Sequence, residues 1–141
     1  MIPIAILAGG LGNRLRPITE TIPKSLLEVA GEPFIAHQLR ELARQGIQNV
    51  VICVGYLGEQ IEEFVKDGSE YGIYVQYSYE NNNLLGTGGA IRNSLHLMTD
   101  DFFVLYGDSW LDIDYRSVYA SFQNSGHVSY THRTLPTKRM V

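Results

Sequence analysis

Apolar residues along the chain fall into short runs whose spacing alternates between two periods. Ile2 to Ala8 (IPIAILA) is nearly continuous and ends at Gly9-Gly10, which predicts a strand buried on both faces, as in a parallel sheet. A loop rich in Gly, Arg and Pro follows. Ser25 to Val29 then reads as a brief extended segment before a turn at Gly31-Glu32. Pro33 suits the first position of a helix, where its missing N–H is no loss. Phe34, Ile35, Leu39, Leu42 and Ala43 recur at helical spacing, and Gly46 closes that helix. Asn49 to Val54 (NVVICV) predicts a second buried strand. Leu57 to Lys66 predicts an amphipathic helix with Ile61, Phe64 and Val65 on its apolar side.

The second half repeats the alternation. Ile73 to Tyr79, rich in Tyr and Val, predicts a strand near a sheet edge. Thr87 to Met98 predicts a helix opening in Gly88-Gly89, with Ile91, Leu95 and Met98 facing inward. Phe102 to Tyr106 (FFVLY) predicts a third buried strand, stopped by Gly107-Asp108. Asp114 to Phe122 predicts a last helix, capped by Asp112 or Asp114 and ended by Ser125-Gly126. Strands alternating with helices make an α/β domain with a mostly parallel sheet. No internal repeat is visible.

Composition narrows the function. The 141 residues, 45% hydrophobic and 18% charged, suit one globular domain and exclude a disordered chain. A formal net charge of -4 argues against nucleic acid as the partner. No apolar run approaches the roughly 18 residues needed to span a bilayer, so no membrane is expected. The start of the chain lacks the basic lead-in of a signal peptide. Cys53 is the single cysteine and has no disulfide partner within the chain, which makes the cytoplasm the expected compartment. Past His127 the pattern changes: Val128 to Val141 carries three of the 11 Lys and Arg and none of the 15 Asp and Glu. One reading is a basic solvated terminus; the other is a segment foreign to the fold, similar to a translated sequencing-library adapter. The expected division is therefore 1–127 as folded domain and 128–141 as tail.

Three strings carry candidate chemistry. AGGLGNRLRP, Ala8 to Pro17, directly follows the first strand, and parallel sheets bind ligands beyond the carboxyl ends of their strands. Gly9, Gly10 and Gly12 let backbone approach a ligand, and free N–H groups there can form an anion nest. Arg14 adds a planar fork of donors suited to phosphate, and Lys24 a compact charge after Pro23. Generic phosphate motifs do not fit. No Lys-Ser/Thr pair stands at P-loop spacing, and the dinucleotide pattern begun at Gly10-Leu11-Gly12 fails at Leu15. From the glycines alone, a plain turn with a solvated Arg is the competing reading. NNLLGTGGAIR, Asn82 to Arg92, sets Gly86, Gly88 and Gly89 at a helix start whose free N–H groups favour negative ligand atoms; a flexible loop is the alternative. LYGDSW, Leu105 to Trp110, puts Asp108 just past a strand, where one carboxylate can hold Mg2+ with waters and substrate phosphates; the alternative is a turn-capping Asp.

Other polar residues read as structural. Cys53 belongs to the core, His37 and His96 to the surface or packing, and Asp112 and Asp114 to helix caps. His127 and His132 fall at or inside the tail. The tyrosines between Tyr71 and Tyr79 fit strand packing.

The string LAGGLGNRLRP, with Ile22-Pro23-Lys24 after it, resembles the signature of sugar-1-phosphate nucleotidylyltransferases across Leu7 to Leu27, Thr19 included. Asn13 stands where the family commonly has Thr. LGTGGA is most similar to the manno- and heptose-type guanylyltransferases, which points to GTP. The resemblance implies a Rossmann-like fold of the nucleotide-diphospho-sugar transferase type. It implies transfer of a nucleoside monophosphate from an NTP to a sugar 1-phosphate, with Mg2+ as cofactor. It assigns Leu7, Ala8, Gly9, Gly10, Gly12 and Asn13 to the nucleotide, Arg14 to the leaving pyrophosphate, and Lys24 to the α-phosphate. Asn81 or Glu80 would touch the base, Gly86, Thr87 and Gly88 would line the base and sugar pocket, and Asp108 would bind the metal. It covers Met1 to Gly126, whereas family members continue into a sugar-binding segment with a second metal aspartate and often oligomer contacts. The expectation is a nucleotide-binding half-site with little turnover, a homo-oligomer arising in a longer form. Two rivals stand beside it. One is a non-catalytic binder of nucleotides or nucleotide sugars; the other is a dinucleotide-binding oxidoreductase domain, disfavoured by Leu15.

Overall fold

The computed structural model describes residues 2–10, 21–80 and 86–126. Strand β1 (Ile4–Leu7) is flanked by β4 (Asn49–Val54) and β6 (Phe103–Tyr106), and β5 (Tyr74–Tyr79) lies outside β4. All pairings in this four-stranded sheet, ordered β5-β4-β1-β6, are parallel. Two short strands, β2 (Glu28–Val29) and β3 (Glu32–Pro33), form a separate antiparallel ribbon leading into helix α1 (Phe34–Arg44). Helix α2 (Gly58–Val65) joins β4 to β5, and α3 (Gly86–Ser94) joins β5 to β6. The chain divides into two compact units, residues 1–109 and 110–141. The described part of the second holds α4 (Tyr115–Ser125). Architecture and strand direction are those the alternating apolar runs predict.

Register explains what fills each side of the sheet. Ile4 pairs with Val50 and Ile6 with Ile52, so these branched side chains share one face, with Val54 further along the same strand. Gly58 of α2 approaches this face closely enough that a Cβ there would lie 2.8 Å from Val54 Cβ. On the opposite face Ala5 and Cys53 cluster with Ala90 of α3, and Leu7 and Met98 pack against them. Small residues bring α3 near the strands, and Asn93 Nδ2 donates to Ser78 Oγ (3.1 Å) and to the Tyr79 carbonyl (3.0 Å).

Several local expectations need correction. Residues 24–26 form a 3-10 turn, not extended chain, because Leu26 N–H donates to the Pro23 carbonyl and Leu27 N–H to that of Lys24. Pro33 precedes the helix with extended backbone (ψ 141) instead of opening it. Phe64 is exposed, and only Ile61 and Val65 of the expected apolar trio are buried. Helix α3 begins at Gly86, before Thr87, and gives way to a 3-10 turn at Leu95–Leu97. Its buried residues are Ala90 and Ser94, while Leu95 is exposed. Strand β6 is half buried: it ends the sheet among the described residues, and Val104 and Tyr106 are exposed. Of the two candidate caps for α4, Asp114 is the one used. Its Oδ1 accepts from Arg116 N–H at 3.0 Å, and the helix runs on to Ser125 before Gly126.

Candidate functional site

The carboxyl ends of β1 and β6 converge on one point. Ala8 N–H donates to the Cys53 carbonyl (2.9 Å), carrying the ladder one residue past β1, and Gly9 and Gly10 follow. After β6, Gly107 N–H donates to the Leu7 carbonyl (2.8 Å) and Ser109 N–H closes a turn on the Tyr106 carbonyl (3.1 Å). Gly107 is required by space: a Cβ there would lie 2.8 Å from Leu7 O and 3.1 Å from Ser25 Oγ. Asp108 is thereby held in the turn beside the start of the first loop.

Lys24 reaches the same point through the Pro23-led turn, and its Nζ lies 2.8 Å from Asp108 Oδ2. That hydrogen bond, with the charge behind it, holds the Asp108 carboxyl below the usual carboxylate range, against a smaller opposing effect of burial. Both partners remain substantially solvent-exposed, so they can exchange each other for a ligand at small cost. The carboxylate of Glu80, just past β5, lies beside the glycines: a Cβ at Gly9 would be 3.1 Å from Oε1, and one at Gly55 3.3 Å from Oε2.

The ends of β1 and β6, the Lys24 turn and the start of α3 line an open cleft of about 310 Å³, and Glu80 is not among its lining residues. Of the expected site residues, Leu7, Ala8, Gly9, Gly10, Lys24, Gly86, Thr87 and Asp108 line it together, and Gly88 does not. Gly12, Asn13, Arg14 and Asn81 lie outside the described residues. Ser25, Cys53, Ala90, Tyr106 and Gly107 also line the cleft and were not expected there. The signal for Gly107 is its place between a strand and a candidate ligand. Ser25 and Ala90 carry none, since small residues in a sequence do not announce what approaches them.

Cys53 proves to be core as well as cleft floor, and burial pushes its thiol upward, away from the reactive thiolate. His37 Nε2 meets the Val29 carbonyl at 2.6 Å, and His96 is exposed. Tyr77 donates to the Lys66 carbonyl and Tyr79 to Glu62, in keeping with structural roles. Among the described residues no three His, Cys, Asp or Glu side chains come together as a metal cage. One carboxylate at an open cleft instead fits an ion such as Mg2+, which keeps its waters and is shared with substrate phosphates. Nor is any described helix long and apolar enough to cross a membrane.

Residues 4–139 match the family model described as nucleotidyl transferase. The chain is 44% identical over 115 residues to the N-acetylmuramate alpha-1-phosphate uridylyltransferase of Neisseria meningitidis serogroup B, covering 81% of this chain and 50% of that protein. It is 42% identical over 109 residues to the D-glycero-alpha-D-manno-heptose 1-phosphate guanylyltransferase of Campylobacter jejuni, covering 77% and 48%. Among solved structures, HddC from Yersinia pseudotuberculosis complexed with GMP-PN aligns with a TM-score of 0.77 at 34% identity, covering 86% of this chain and 54% of HddC. The chain thus spans about half the length of these relatives.

Proposed function

The chain belongs to the nucleotidyl transferase family, and we propose that it carries the nucleotide-binding face of an enzyme transferring a nucleoside monophosphate from an NTP to a sugar 1-phosphate. The observation that carries this reading is the Lys24–Asp108 pair, set against the glycine loop where β1 and β6 end. A cation and an anion in contact at a cleft mouth offer one partner for phosphate and one for a divalent metal. We assign the metal as Mg2+; when bound, it neutralises phosphoryl charge and orients the triphosphate.

The chain's own residues then divide the work. The sugar phosphate oxygen attacks the α-phosphorus in line, the bond to the β-phosphate breaks, and pyrophosphate leaves, so no protein nucleophile is needed. Backbone N–H groups at Gly9 and Gly10, continuing to Gly12 and Asn13, receive the triphosphate. Lys24 stabilises charge at the α-phosphate, Arg14 holds the departing pyrophosphate, and Asp108 is the residue that would hold the metal. Gly86 and Thr87 at the start of α3 face the base and sugar side.

For the base, we assign recognition to Glu80, with Asn81 beside it. A carboxylate only accepts hydrogen bonds. Guanine offers it two adjacent donors, ring N1–H and the N2 amino group, and uracil a ring N–H, whereas adenine and cytosine offer an exocyclic amino group beside a ring lone pair that repels it, so guanine and uracil are favoured. Guanylyl- and uridylyltransferases among the relatives fit that preference. The cytoplasm is the compartment we assign.

The test measures pyrophosphate release and nucleotide binding for the 141-residue chain with Mg2+, each NTP and a panel of sugar 1-phosphates. We expect GTP or UTP to bind with little turnover, and Asp108→Asn to abolish the Mg2+-dependent part of binding. Robust turnover would remove the half-site reading, and absence of any nucleotide binding would remove the transferase reading itself.

A further inference from the structure

Gln38 is a fully buried polar side chain in α1 whose amide is used on one side only. Its Nε2 donates to the Ser109 carbonyl at 2.9 Å and to the Tyr106 carbonyl at 3.3 Å. Its Oε1 is buried and has no hydrogen-bond partner among the described residues. A buried acceptor without a donor is costly, and an apolar side chain of similar size would avoid that cost. The amide is therefore accounted for by its two N–H groups.

Those two carbonyls are the two ends of the turn that carries Asp108. Ser109 N–H already bonds the Tyr106 carbonyl across the turn, and Gly107 N–H ties its entry to β1. Gln38 adds a staple from beneath, one nitrogen gripping both ends, while Asp108 points its Oδ2 to Lys24 on the open side. Without the staple, the turn's remaining ties among the described residues are its own crossing bond, the link to Leu7 and the Asp108–Lys24 pair, and the direction of the Asp108 side chain is freer.

We propose that Gln38 is a positioning residue that fixes the Tyr106–Ser109 turn so that Asp108 faces Lys24 and the nucleotide cleft. The proposal rests on the transferase reading for Asp108's task, and it is distinct from that reading because Gln38 touches neither substrate nor metal. Groups that orient a metal ligand typically alter metal affinity by about 10–100-fold when replaced.

The experiment compares wild type with Gln38→Met, which keeps the length and loses both donors, and Gln38→Glu, which turns a carboxylate oxygen toward the two carbonyls. Asp108→Asn and Lys24→Met are references. GTP binding to the full chain is measured by calorimetry with Mn2+ and again with EDTA, and the Asp108 carboxyl 13C shift is followed by NMR. Both Gln38 variants are expected to weaken Mn2+-dependent GTP binding about tenfold and leave binding in EDTA unchanged. Gln38→Met is expected to move the carboxyl shift in the direction seen for Lys24→Met. Equal weakening with and without metal would mean general loosening and overturn the proposal. If GTP binds in an Asp108-dependent way and both Gln38 variants behave as wild type, the staple is wrong and the transferase reading survives. If wild type binds no GTP, that reading fails, and the carboxyl shift decides alone: unchanged in Gln38→Met, it overturns the staple.

Discussion

Gly107 shows how little room a single residue has at this site. A Cβ there would meet the Leu7 carbonyl oxygen at 2.8 Å, and that oxygen belongs to β1, which cannot shift without disturbing both neighbouring strands. Overpacking of this kind costs about 1–3 kcal/mol, so Gly107→Ala is expected to lower thermal stability by that amount and displace Asp108. An unchanged melting curve would contradict the close approach. Asp108 itself gives a pH prediction. Lys24 holds its carboxyl below the ordinary value of about 3.9. A depressed folded value means the pair contributes stability above that ordinary value and loses it as pH falls through the lower one. Because both groups are substantially exposed, the contribution is at most about 1 kcal/mol. In Lys24→Met the Asp108 titration midpoint, read by NMR, should climb back toward about 3.9; a midpoint that stays low would assign the depression to another cause. Lys24 and Asp108 were each legible as candidates from their own strings. Their contact was not, since 84 residues separate them and only the parallel sheet brings the two loops together. Gln38 gave no signal at all, because a polar residue inside an amphipathic helix reads as solvated.

Among the elements, β4 was read to the residue, since a continuous apolar run bounded by polar ends fits a doubly covered strand. Helix α3 was read correctly in kind and only partly in face. Apolar size pointed to Ile91, Leu95 and Met98; Met98 packs on the core and Ile91 is half buried, but Leu95 is exposed and the helix buries Ala90 and Ser94. The reason lies in the opposite layer: Ala5 and Cys53 are small, so the helix that fits closest over them must also be small at the contact. That dependence on a partner surface cannot be seen within one segment. It makes Ala90→Leu informative. The larger side chain has no space against Ala5 and Cys53, and the expected loss is about 1–3 kcal/mol in thermal unfolding. Ala90 also lines the cleft, so the same substitution should weaken nucleotide binding. Full stability together with full binding would show that α3 does not seat on this face. Strand β6 departs for a related reason: its run FFVLY is apolar throughout, yet it ends the described sheet, leaving Val104 and Tyr106 exposed.

For the whole molecule, net charge and ligand charge oppose one another. The chain stands at -4, and a nucleoside triphosphate is itself strongly anionic, so overall attraction cannot drive binding. On the proposed reading it comes from local arrangement: backbone N–H groups of the glycine loop, Lys24, and a divalent ion that Asp108 would help to hold. Every cleft-lining residue falls within the unit 1–109, so nucleotide binding is expected of this chain although it spans about half of its relatives' length. A ligand that binds the folded state alone raises stability by about 2.7 kcal/mol at one hundred times its dissociation constant, which makes the melting midpoint a direct readout. With Mg2+ present, GTP and UTP should raise that midpoint more than ATP and CTP, and omission of the metal should reduce the shift for all four. Glu80→Ala should level the differences among bases while sparing the phosphate-dependent part of the shift. Equal shifts in wild type would take Glu80 out of base recognition as proposed, because a carboxylate at the ring-nitrogen edge accepts from guanine or uracil there and is repelled by the ring lone pair of adenine or cytosine, even where their amino groups reach it.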